Sequence, residues 1–136
     1  MLLHARIMPA SRAHSLWSRL SRVDERDEHL ARYLAEAELF SHVPWPERRR
    51  LLAEVRSGNE PARKHLIESF LLDVARIAIA HDEPRWMVDV DKIQEANLVL
   101  FRVLDDPAVD DVLDALKTRI PARLNEIART DPGSPV

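Results

Sequence analysis

Apolar residues recur three and four positions apart along most of this chain, the spacing of one face of a helix, and strict alternation is nearly absent. The pattern predicts a first helix from about Asp24 to Phe40, with Leu30, Tyr33, Leu34, Ala37 and Phe40 on one face. "SHVPWPE" ends it, because Pro44 and Pro46 disfavour helix in the residues before them. Pro46 suits the first turn of a second helix, which carries Leu51, Leu52 and Val55 to about Ser57. Gly58 follows as a left-handed C-terminal cap. Asn59 is a good N-cap for the third and longest helix, with Glu60 and Pro61 in its first turn. That helix runs to about His81, and Leu66, Ile67, Phe70, Leu71, Val74, Ile77 and Ala78 make its apolar stripe wide enough to imply burial on more than one side.

"HDEPRWMVD" reads as a loop. A fourth helix is expected from Val90 to about Leu104, burying Ile93, Leu100, Phe101 and Leu104. Asp106-Pro107 restarts the chain as a fifth helix, and Pro121 either interrupts it or begins a sixth, ending near Arg129. The expectation is an all-α domain of five to six helices over residues 23–129, between a flexible arm, 1–22, and a flexible tail, 130–136. Leu66, Phe70, Leu71, Val74, Ile77, Ile93, Leu100 and Phe101 should be buried together.

Composition narrows the chemistry. With 136 residues, 46% hydrophobic and 32% charged, the chain suffices for one domain. Two glycines among many Ala, Leu, Arg and Glu favour helix over sheet. The net charge of -3 argues against a general nucleic-acid binder. The absence of cysteine excludes disulfides and thiolate chemistry and fits a reducing cytoplasm. No apolar run spans a bilayer, and His4 and Arg6 break up the apolar start of the chain.

An enzyme is hard to assemble from these residues. The six histidines, His65 and His81 among them, form no HExxH arrangement. "SGNEPARK" lacks phosphate-loop spacing, and Ser15, Ser41 and Ser69 lack a nucleophile elbow. No metal or organic cofactor is expected.

Four segments in order carry a resemblance: "RYLAEAELF" (32–40), "LLAEVRSGNEPARKHLIES" (51–69), "VARIAIAH" (74–81) and "DKIQEANLVLFRVLDD" (91–106). Over residues 27–106 the chain resembles bacterial RNA polymerase sigma factors of the sigma-70 family, in particular the core-binding run "DLIQEGNIGL" and the helices before it. The resemblance implies that the polar face of the fourth helix docks on the coiled-coil clamp helices of the polymerase's largest subunit. The matching residues are Asp91, Gln94, Glu95 and Asn97, with Phe101 at a contacting apolar position. Carboxylates there can take a partner's arginines, and amides fix register.

The departures point to a partial function. Phe70 and Leu72 stand where the family has Asn and Arg, and Ala96 replaces a glycine. No aromatic residue follows Phe101, although the family's promoter-melting helix stacks unpaired bases on aromatic side chains. Residues 105–114 instead hold Asp105, Asp106, Asp110, Asp111 and Asp114 without a basic residue, a surface that repels phosphate. The expectation is a cytoplasmic, non-enzymatic, sigma-like regulator that docks on polymerase without reading promoters itself. Alternatives are a sigma mimic that binds an anti-sigma factor or another regulator, and a weak promoter-DNA binder using Arg48, Arg49 and Arg50.

Overall fold

The computed structural model describes residues 25–82 and 90–130, in which five α-helices and no strand occur. They are α1 (Glu25–Leu39), α2 (Trp45–Arg56), α3 (Glu60–Asp82), α4 (Val90–Asp105) and α5 (Val112–Thr130). The expected arm, loop and tail lie largely outside the described residues.

Local chemistry accounts for the helix ends. Pro44 caps α2 in an extended conformation, with Pro46 in the first turn where a missing N–H costs nothing. Gly58 closes α2 with φ +91°, a left-handed conformation that L side chains rarely adopt. The Asn59 side chain then accepts the Ala62 N–H at 3.0 Å and starts α3.

α3 is the central helix and packs against each of the other four. This explains its wide apolar stripe: Leu66, Phe70, Val74, Ala75 and Ala78 are buried from different sides. α4 supplies Ile93, Ala96, Leu100, Val103 and Leu104, and α5 closes the core with Leu116, Ile120 and Leu124. Each large side chain buried this fully stabilises the fold by roughly 1.5–3 kcal/mol. Of the expected core, Leu66, Phe70, Val74, Ile93 and Leu100 are buried. Ile77 and Phe101 are half-buried against them, whereas Leu71 is half-buried outside this cluster. Phe40 sits in the turn after α1, 44% exposed, so it does not share that helix's buried face.

The α4–α5 connection departs from the expectation. Asp106-Pro107 begins a turn, and α5 starts only at Val112. Asp111 is its cap, the side chain accepting the Asp114 N–H at 3.0 Å. Pro121 neither breaks α5 nor begins a new helix. Its lost hydrogen bond is a local cost, and Leu116, Ile120 and Leu124 anchor the helix on both sides of it. The turn is tied down as well: Arg63 pairs with Asp105 at 2.6 Å, and the Arg56 guanidinium donates to the carbonyls of Asp106 and Val109.

Candidate partner-docking face

α4 has two stripes. Ile93, Asn97, Leu100 and Leu104 recur at helical spacing and face the core. Asp91, Gln94, Leu98, Arg102 and Asp105 recur on the opposite side and are exposed. Glu95 and Phe101 lie half-buried at the boundary.

Asn97 therefore does not belong to the docking face. It is 4% exposed, and its side-chain NH₂ donates to the Tyr33 hydroxyl and to Gln94 Oε1, both at 3.0 Å. One residue thus ties α4 to α1 and orients an exposed neighbour. Its Oδ1 is buried without a hydrogen-bond partner among the described residues. Orphan acceptors of this kind are uncommon in folded proteins. The correction follows from spacing: Asn97 falls four residues after Ile93 and three before Leu100, inside the buried period.

Glu95 is held weakly. Its Oε2 is buried and lies 3.6 Å from Arg123 Nη2, near enough for an ion pair but too far for a hydrogen bond, and among the described residues no other group bonds it. Arg123 also donates to Glu126 at 3.2 Å. Beside Glu95, Leu98 is 44% exposed, a large apolar side chain among polar ones. Sequence reasoning missed Leu98, although its place at i+4 from Gln94 marks the outer stripe. The exposed surface is thus Asp91, Gln94 and Leu98, edged by Glu95 and Phe101. It combines acceptor groups with an apolar contact point.

The arginine run of α2 resolves differently. Arg48 is 8% exposed and lies between two rings, its guanidinium carbon 4.7 Å from the centroids of both Trp45 and Phe70. Nε donates to the Val43 carbonyl at 3.0 Å, Nη2 to the Ser41 carbonyl at 3.1 Å and Nη1 to Asp73 at 3.0 Å. Arg48 thereby locks the α1–α2 loop onto α3 and is not presented to a phosphate. Arg50 pairs with Glu47 and with Glu54. Its hydrogen bond holds the Glu47 carboxyl below its usual range, and Glu47 in turn raises the Arg50 guanidinium. Among the described residues, Arg49 alone of the three is exposed without an ion pair. Among the described residues the expected cluster is therefore one unpaired cation, one paired cation and one structural cation.

The aspartate segment is also partly structural. The Ala108 backbone N–H and Arg119 hold the Asp106 carboxyl below its usual range. Asp105 pairs with Arg63, and Asp111 caps α5. His81 lies 2.8 Å from Asn125 Oδ1, and His65 is exposed. Among the described residues, no group of three His, Cys, Asp or Glu could hold a metal, and no helix is long and apolar enough to cross a membrane. The chain matches no protein-family model, no curated protein and no solved structure.

Proposed function

We propose that this chain is a sigma-like transcription regulator that docks on the clamp helices of RNA polymerase's largest subunit and does not read promoters by itself. One observation carries the reading. The α4 segment that resembles the sigma core-binding run presents an exposed Leu98 beside the exposed Asp91 and Gln94, with Glu95 half-buried at their edge. Such a surface suits a partner helix with arginines around an apolar position. Asn97 acts from inside by orienting Gln94. Promoter reading in cis has little to work with: Arg48 and Arg50 are engaged, and the 105–114 segment is acidic.

The test is calorimetric titration of the full chain against an isolated clamp-helix fragment. Binding is expected, and Glu95→Ala should weaken it by about 2–5 kcal/mol, because the partner's arginine is left unpaired. Gln94→Ala should cost less, roughly 0.5–1.5 kcal/mol for one neutral hydrogen bond. Absence of binding by the wild type sinks the docking reading and favours the alternative, a sigma mimic that binds an anti-sigma-type regulator. Binding that Glu95→Ala leaves untouched keeps the partner and rejects the face.

A further inference from the structure

A groove of about 420 Å³ opens between α2, α3 and the start of α5, away from the outer stripe of α4. Its floor is apolar, built from Leu52, Phe70, Val112 and Leu113, and Trp45 stands at its edge, 46% exposed. The two lips differ in charge. Asp110 and Asp111 line one, both exposed and without an ion pair among the described residues, and Arg49 lines the other. Whatever occupies this groove should be apolar on one side and basic along one flank.

The chain's own sequence contains such a segment. The first 23 residues hold four arginines and no carboxylate. Within "RAHSLWSRLSRV" (12–23), Ala13, Leu16, Leu20 and Val23 share one side at helical spacing. Arg12, Arg19 and Arg22 recur along one flank of that apolar side. Twelve helical residues would be about 18 Å long.

Geometry decides whose segment enters. Val23 is two positions from the start of α1. The far end of α1 leads to Ser41 and Val43, whose carbonyls bind Arg48 at the groove. The fifteen residues of α1 rise about 22 Å. A chain's own segment is therefore tethered at the wrong end of α1 and could bring only its Arg12 end back to the groove. A second copy has no such tether.

We infer that the groove receives residues 12–23 of a second copy of this chain, in a reciprocal two-fold exchange that makes a dimer. The acidic lip takes the arginine flank, and the apolar floor takes Leu16 and Leu20. Each copy gives a segment and receives one, so the contact closes at two copies.

Sedimentation equilibrium on the full chain tests this. The wild type should dimerise in the micromolar range, less tightly at high salt because the charged contact is at the surface. Asp110→Arg with Asp111→Asn should weaken the dimer at least about tenfold by placing like charges together. Asparagine is used at 111 because it still caps α5. Arg19→Asp with Arg22→Asp should weaken the dimer similarly. The decisive measurement mixes the two weakened variants, since each carries the groove that suits the other's segment. Dimer should return on mixing, with circular dichroism confirming that both variants remain helical. A wild type that stays monomeric overturns the inference and leaves the groove to some other occupant. A dimer that neither pair of substitutions weakens overturns it too, as does weakening without recovery on mixing.

Discussion

Two polar runs, Arg48–Arg50 on α2 and Asp91–Asn97 on α4, look alike as sequence and end differently in the fold. Each sends one member inward. Arg48 joins the buried side of α2 with Leu51, and Asn97 joins the buried side of α4 with Ile93 and Leu100. In both, helical period overrode polarity. What differs is how fully each inward residue is satisfied. Arg48 has three hydrogen bonds and two aromatic faces, so its surroundings are complete. Asn97 uses both donors but leaves Oδ1 without one, and neighbouring Glu95 has an unbonded oxygen as well. The α2 run has turned into architecture, whereas the α4 run keeps Asp91 and Gln94 exposed beside an exposed leucine. This contrast is why the proposed docking face lies on α4.

The largest expected effect comes from removing the satisfied residue. Arg48→Ala should destabilise the fold by about 3 kcal/mol, toward the low end for one partner of a buried pair because Asp73 retains some contact with water. The Ser41 and Val43 carbonyls lose their donor, and the loop loses its anchor on α3. Urea unfolding measures it. A loss under about 1 kcal/mol, the worth of a single ordinary hydrogen bond, would mean that Arg48 is a surface cation after all and would return the arginine run to the DNA-binding reading.

Asn97 should show a smaller effect with a different signature. Asn97→Ala is expected to cost about 1–3 kcal/mol, since the Tyr33 hydroxyl and Gln94 lose a partner within a packed site. Asn97→Leu should cost less, because the orphan oxygen disappears and volume is kept. Binding to the clamp-helix fragment should change less than in Glu95→Ala. If Asn97→Leu leaves stability intact and abolishes binding, Asn97 contacts the partner directly and the boundary between the two stripes is misplaced.

How much of this was readable beforehand follows the range of the cause. The end of α1, both ends of α2 and the start of α3 come from adjacent residues, Pro44, Pro46, Gly58 and Asn59, and the sequence pattern places them to within a residue or so. The breadth of α3's apolar surface announced a central helix. Asn97 and Arg48 were legible in principle, because their spacing matched the buried period, but their polarity outweighed it. Their partners were not legible: Tyr33 meets Asn97 across 64 positions, and Asp73 meets Arg48 across 25. The sequence pattern misplaces the start of α5 because Asp106-Pro107 is a strong local signal, whereas the true cap, Asp111, sits in a run of aspartates that masks it. Pro121 shows tertiary packing outweighing a breaker, which no local rule reports.

A smaller effect separates the paired arginine from its neighbours. Arg50 lowers the Glu47 carboxyl in the folded state, so the unfolded chain takes up a proton there first as pH falls. The contribution is present above the usual glutamate range and is lost as pH drops through the lower folded value. Glu47→Gln should therefore be slightly less stable than wild type at neutral pH, and the difference should close in acid. Thermal melts of the two proteins from neutral to acidic pH measure the convergence. A constant gap would mean that Glu47 contributes through packing rather than charge.

The smallest effect should belong to Arg49, the member of the run left exposed and, among the described residues, unpaired. Arg49→Ala should change stability by no more than about 0.5 kcal/mol, as for an ordinary surface substitution. It should leave clamp-fragment binding unchanged, because Arg49 lies on a different helix from the docking face. It also bears on the arginine run's last claim to function. If the chain binds DNA through this run, Arg49 is the cation available to do it, and one lost phosphate contact should lower the slope of log affinity against log salt by about 0.9. The expected result is that the wild type does not reach even the roughly 10⁻⁴–10⁻⁶ M of non-specific binders at physiological salt, so that no slope is there to change. Fluorescence anisotropy with duplex and with bubble-containing promoter DNA measures both quantities. A tight, salt-dependent complex that Arg49→Ala weakens by that slope would reverse the contrast between the two helices, making α2 the functional surface.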